Sequence, residues 1–397
     1  MRLLPRTGGL EDLVLAFVGR TGNLASMHHP TTRRALGRVM RAVDSYCSLL
    51  FDGHVSDPVP FCRAIWNDAG PPDAENAVHT VGKAYQDVQS LIDDRLRTQP
   101  DTEIASTEFL TWLEAEYRQR LRDVPRHAND AAATTVRPAV PEWRRDDHER
   151  GRRDSRLIDQ AMGRALVHFR DTYDVSRLRG IDQILAIPAS HHALMAIRPF
   201  GERTGAVARL FTYAMVCVAD VNGSGLWSVN RALARERKTY LTMVNKPDVS
   251  PWFGHSQRGG RTEEALIGFC RFFLHACIEE VRFAQELLSY DALSERIMRY
   301  VALRATGEID QPRLHPEAGF LLRQAMFHGK IERAQASRIM GIDRRAAESV
   351  VDALLDEGLL ETSDEHGRLR IGISPHAIDH LLPGLVLTRS PTTAVPG

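Results

Sequence analysis

The sequence predicts a mainly α-helical protein that ends in a small unit of helices and a hairpin. Apolar residues recur at three- and four-residue steps through most of the chain, which is the signature of amphipathic helices. Two short strand-like runs separated by a polar turn fall only near 359–373. The 397 residues carry a hydrophobic fraction of 43% and a charged fraction of 26%, as globular chains do, and the length suggests more than one domain.

The elements follow in order. Residues 1–31 contain glycines and little pattern, and an irregular segment is expected there. From Thr32 to Phe51 the stripe Leu36, Val39, Met40, Val43, Cys47 and Leu50 predicts a helix stopped by Gly53. Pro58, Pro60, Pro71 and Pro72 mark connections. Helices are predicted over 74–96 and 107–121, the second with Phe109, Trp112 and Leu113 on its apolar side.

Residues 123–156 hold three prolines and then a dense mixed-charge run from Glu142 to Arg156. Such a run reads as a solvated loop or as a flap facing a substrate. Helices follow over 157–174 and 178–197, with Pro188 acceptable at a kink or a first turn. The polar, glycine-containing turn 198–209 then runs into apolar residues 210–218. Backbone N–H groups at such a junction suit an anion. Residues 260–289 form a long helix whose aromatics Phe269, Phe272 and Phe273 are expected in the core, and 294–304 continues helical.

Short helices over 320–327, 332–340 and 343–357, with Gly341 and Gly358 as stops, precede the hairpin 359–362 and 369–373. Three helices and a hairpin resemble a winged helix-turn-helix. Between His315 and Leu387 there are eight Lys and Arg against eleven Asp and Glu, so the unit is acidic. Phosphate neutralisation supplies most non-specific DNA affinity. DNA binding is therefore not expected, although Arg344 and Arg345 open the helix that would read bases. The tail 388–397 is expected to fray.

Composition narrows the classes further. Lys and Arg number 51 and Asp and Glu 51, which gives no electrostatic case for nucleic acid or an acidic membrane. No stretch approaches the roughly 18 apolar residues of a membrane span, and no secretory signal is expected. Five scattered cysteines without a C-x-x-C predict a reduced, cytoplasmic protein with no zinc framework.

One run is distinctive. Ser190-His-His-Ala-Leu-Met-Ala-Ile-Arg-Pro-Phe-Gly-Glu-Arg-Thr-Gly-Ala-Val-Ala-Arg-Leu210 resembles the Fic (Fido) family motif H-P-F-x-[D/E]-G-N-G-R-x-x-R-L and the helix before it. Ser224-Gly-Leu-Trp-Ser-Val-Asn-Arg231 and Met40-Arg-Ala-Val-Asp-Ser-Tyr-Cys-Ser-Leu-Leu-Phe-Asp-Gly-His54 resemble two further segments of one Fic subgroup, which also carries a C-terminal winged helix. The resemblance spans about 32–387. It implies a Fic-type helical domain with a small β-hairpin flap, divided as an N-terminal helical part over 32–122, a Fic core over 123–310 and a winged helix over 311–387. It also implies AMP transfer from ATP to a protein hydroxyl.

Carried over residue by residue, the motif is altered. Arg198 stands where the family has its base, and a guanidinium does not give up its proton in proteins. Glu202 keeps the carboxylate that would hold Mg²⁺. Arg203 and Thr204 replace a glycine and an asparagine of the phosphate turn, Gly205 is kept, Ala206 replaces an arginine, and Arg209 is kept. The family's inhibitory segment survives as Ser48, Asp52 and Gly53, with Asp one methylene shorter than Glu, which puts its reach to Arg209 in question. His191 and His192 are candidate replacement bases or satisfied helix histidines. Glu202 is a candidate base or a partner for Arg203 or Arg198.

Loss of a general base costs roughly 10²- to 10⁴-fold in rate. Efficient AMP transfer is therefore not expected. The leading expectation is a repurposed reaction on an anionic or phosphate-bearing substrate around Arg198, Arg203, Thr204, Gly205 and Arg209. The alternative is an inactive Fic-fold binding or regulatory module, and residual AMP transfer comes last. ATP or another nucleotide with Mg²⁺ is the implied cofactor. A small anion or a protein target is the implied partner, and a homodimer stays open. Convergence of Arg198, Glu202 and Arg209 on an open pocket would favour chemistry, and mutual neutralisation would favour a module.

Overall fold

The computed structural model describes residues 8–53, 61, 77–121, 155–175, 177–244, 259–362 and 367–387. Among them are fifteen α-helices and one two-stranded sheet, as a mainly α chain requires. The flap expected within 142–156 lies almost wholly outside the described residues.

The first helix corrects an expectation. Gly8–Ser26 is helical (α1), where an irregular segment was expected. Leu10, Val14, Phe17, Thr21 and Leu24 are all buried, at alternating steps of four and three. That stripe packs α1 against the long helix Gly259–Leu287 (α10). Four glycines lower its intrinsic propensity, and tertiary burial outweighs them.

Next come α2 (Pro30–Phe51), α3 (Ala77–Thr98) and α4 (Thr107–Arg120). The α2 stripe is buried from Leu36 to Cys47, Leu50 is half-buried, residues 42–49 are buried on every face, and Gly53 closes the helix at φ +86°. Ser106 caps α4 by accepting the Phe109 N–H. Then follow α5 (Ser155–Tyr173), α6 (Ile181–Ile197), α7 (Thr204–Val218), α8 (Val229–Arg235) and α9 (Arg237–Val244). Pro188 lies mid-helix in α6, not in a first turn, one of the two places the sequence allowed it. It lacks the N–H that would bond the Ile184 carbonyl. Burial of Ile184 to Ser190 on all sides holds the helix together there.

After α10 come α11 (Tyr290–Thr306), α12 (Ala318–His328), α13 (Ala336–Met340), α14 (Arg344–Asp356), β1 (Leu360–Thr362), β2 (Leu369–Ile371) and α15 (Ile378–Leu381). The strands are antiparallel, with Leu360 opposite Ile371, and Ile331 adds one bridge to Leu369. Asp343 caps α14 by accepting the Ala346 N–H. Ala347, Val350, Val351 and Leu354 are its inward face. Ala346, expected inward, is half-buried.

Two buried arginines join this unit to the rest. Arg231 reaches Glu280 at 2.5 Å and donates to the carbonyls of Leu385 and Gly384. Arg304, fully enclosed, holds Glu357 at 2.8 Å and the Pro312 carbonyl. Thr32 on α2 donates to the Met326 carbonyl, and Arg38 on α2 pairs with Glu361 on β1.

Candidate functional site

The turn that carries the motif lies between α6 and α7, where it is fixed by unusual backbone. Arg198 ends α6 in the left-handed region at φ 53°, ψ 54°, a conformation few non-glycine residues adopt. Gly201 follows at φ +60°. The hydroxyl of buried Thr204 accepts the Phe200 N–H at 3.1 Å and so holds the turn against the start of α7.

The charged side chains of the turn do not gather. Arg203 swings to α4 and bonds Glu114 at 2.7 Å. Glu202 is exposed and makes no ion pair among the described residues, neither to Arg203 nor to Arg198. Arg198 is half-exposed and has a partner of its own. Ala206 is buried and carries no charge.

Arg209 is closed off. It is 3% exposed on α7. One terminal nitrogen donates to both Asp52 carboxylate oxygens, at 2.8 and 2.7 Å. Its Nε donates to Ser48 Oγ at 2.8 Å, and its guanidinium lies 5.2 Å from the Phe51 ring centroid. The short Asp52 side chain thus does reach Arg209. Asp52 stands just past the end of α2, and α2 packs on α7 closely enough for the shorter side chain to reach. Burial opposes the Arg209 charge, but Asp52 overcomes it and raises the arginine above its ordinary pKa. Gly205 backs onto this clamp: a Cβ there would sit 3.2 Å from an Arg209 terminal nitrogen. Gly53 only closes α2.

His191 is fully buried behind the turn. The Thr212 hydroxyl donates to the Ala208 carbonyl, so it accepts from His191 Nδ1–H at 2.7 Å. Nε2 then accepts from the Tyr240 hydroxyl at 2.8 Å. Burial, with Arg209 and His192 nearby, lowers the His191 pKa to about 3. Both nitrogens are engaged and the ring is neutral, as a satisfied helix histidine should be. His192 is half-buried, its ring 5.0 Å from that of Phe269.

Most groups that the resemblance assigns to a nucleotide have other partners here. Two guanidinium groups already hold carboxylates, the Thr204 hydroxyl holds the turn, and position 206 has no donor. Among the described residues no cluster of three His, Cys, Asp or Glu could hold a metal ion. Cys217, Cys270 and Cys277 are free thiols. No described helix is long and apolar enough to cross a membrane.

A cavity among the described residues lies away from the turn. A space of about 620 Å³ opens between α2, α3, the outer part of α7 and residues 222–230. Of the motif residues only Arg209 touches it. Its floor is built on Asp44, which accepts from Ser228, Asn230 and Gln89. Burial pushes the Asp44 carboxyl above the usual range, against those three hydrogen bonds. Ser228 also caps α8 through the Arg231 N–H, and Trp227 is core, its indole N–H bonded to the Val221 carbonyl at 3.0 Å. Gly223, at φ +57°, is needed here because a Cβ would meet the Trp227 ring at 2.8 Å.

Sequence reasoning missed Glu114, Asp44 and the arginines of α2. The signal for the last was present: Arg34, Arg38 and Arg41 are spaced four and three, one helix face. Nothing local marks Glu114 as the partner of a residue 89 positions away.

No protein-family model matches the chain, and no curated protein matches it.

Proposed function

We infer that the chain is a Fic-type protein that has left AMP transfer and works as a binding or regulatory module. One observation carries this reading: Arg209, the remaining phosphate arginine of the motif, is closed by Asp52 and Ser48. The guanidinium is buried and the Asp52 carboxylate partly exposed, one charged nitrogen donates to both carboxylate oxygens, and a phosphate would have to displace that contact. Arg198 supplies no base, and Arg203 is turned to Glu114. Arg203 and Arg209 are each neutralised by a carboxylate from elsewhere in the chain, which favours a module over chemistry.

The C-terminal helices and hairpin support a winged helix that packs on its own chain. Its β1 holds Arg38, its α12 holds Thr32, and Arg344 on the would-be reading helix is tied to Glu348 at 3.0 Å. The implied partner is a protein rather than DNA.

A repurposed reaction on an anionic substrate keeps one observation in its favour. Glu202 is exposed, unpaired among the described residues, and four positions from Arg198.

The test is incubation with labelled ATP and Mg²⁺, for wild type and for Asp52→Ala, which opens the clamp. No label on protein is expected in either case. Label on wild type or on Asp52→Ala overturns the loss of AMP transfer.

A further inference from the structure

The cavity between α2 and α3 has a chemical character of its own. Six cationic side chains line it: Arg33, Arg34, Arg38 and Arg41 from α2, Lys83 from α3, and Arg209. Only two carboxylates line it, Asp44 and Asp87. Asp87 is bonded by Lys83 at 2.9 Å, and both Asp44 oxygens are taken by floor donors. Arg38, Arg41 and Arg209 are balanced by Glu361, Asp93 and Asp52, none of which lines the cavity.

Two guanidinium groups remain uncompensated. Arg33 donates to the Ala25 carbonyl and to Ser224 Oγ, both uncharged. Arg34 is exposed and makes no ion pair or hydrogen bond among the described residues. They are neighbours on the first turns of α2, at one end of the cavity. Natural surfaces usually place a carboxylate beside such a pair, and a planar guanidinium with free donors matches a phosphate fork to fork.

A second, independent observation points the same way. Gln89 lines the cavity and is 1% exposed, yet its Oε1 has no hydrogen-bond donor. Its amide nitrogen is fixed on Asp44, so flipping the amide would set its oxygen against that carboxylate. A buried amide oxygen without a donor is costly and calls for a partner that brings one. The remaining wall mixes Trp227, Met40 and Tyr213 with Asn222 and Gln86. The volume is that of a site for one small organic molecule.

We propose that this cavity binds a phosphate-bearing small molecule, with its phosphate on Arg33 and Arg34 and its organic part, carrying a hydrogen-bond donor, over the Trp227 wall toward Gln89. No residue of the 198–206 turn takes part, so the proposal stands or falls separately from the reading of that turn.

Calorimetric titration with ADP, with pyrophosphate and with a short DNA duplex tests it, on wild type, Arg33→Ala/Arg34→Ala and Arg203→Ala. Wild type is expected to bind ADP more tightly than pyrophosphate. The double variant should lose about tenfold or more in affinity, the scale of one lost charge-assisted contact. Arg203→Ala, off the cavity, should bind as wild type does. An unchanged thermal unfolding midpoint of the double variant shows that the loss is not unfolding. No heat from ADP or pyrophosphate at millimolar concentration overturns the proposal. So does equal binding by the double variant, or binding of the duplex alone, which would make the groove a nucleic-acid surface.

Discussion

The 198–209 turn has three arginines and the α2–α3 cavity five, with Arg209 common to both, and only the cavity leaves two of them facing no carboxylate. In the turn, Arg203 and Arg209 each meet a carboxylate from another helix, Glu114 and Asp52. In the cavity, Arg33 and Arg34 meet none. The turn has a ligand-binding motif without free donors, and the cavity has free donors without a motif. Availability of a charge is thus decided by what stands within about 4 Å, not by its neighbours in sequence.

Acid should strain the first region most. His191 is neutral in the fold with a pKa of about 3, against an unfolded value near 6.5. Between those values the unfolded chain binds the extra proton, so the fold loses stability as the pH falls from about 6.5 towards 3. The slope is about 1.4 kcal/mol per pH unit for this group. Burial raises Asp44 in the fold, which acts in the opposite direction, so the expected readout is a difference. Urea midpoints of His191→Gln should fall less steeply with acid than those of wild type. Parallel profiles would show that His191 is not sealed behind the turn.

The cavity floor should come next. Asp44→Ala removes the acceptor of Ser228, Asn230 and Gln89, all buried, and should cost about 3 kcal/mol in urea unfolding. A loss below about 1 kcal/mol would mean that water replaces the carboxylate.

Within the turn the two pairs should differ. Asp52→Ala leaves the guanidinium of Arg209 buried without a carboxylate, with Ser48 and the Tyr240 hydroxyl, and should cost about 2 kcal/mol. Arg203→Ala removes a pair whose arginine is 46% exposed, and should cost under about 1 kcal/mol. Equal losses would erase the distinction between a sealed clamp and a surface bridge.

Much of the fold was legible. The stripes of α2 and α10 appear where the 3.6-residue period placed them, and Gly53, Gly341 and Gly358 stop helices at positive φ. Residues 8–26 were not legible, because glycines hid a stripe that only α10 makes worth burying. At the site, the sequence identified Arg209, Ser48 and Asp52 as one group, and they meet. It left the reach of Asp52 in question, since side-chain length alone ignores how closely two helices approach. It treated the arginines of the turn as a set, and Glu114 took one of them away.

The sequence by itself determined most of the helices after residue 26, that position 198 carries no proton acceptor, and that position 206 carries no phosphate fork. Those are properties of local periodicity and of side-chain chemistry, which no packing can alter. Only the tertiary structure decided which charges remain free, because ion pairing and burial depend on distances between helices far apart in the chain. The same packing that closed Arg209 under Asp52 left Arg33 and Arg34 facing an open cavity.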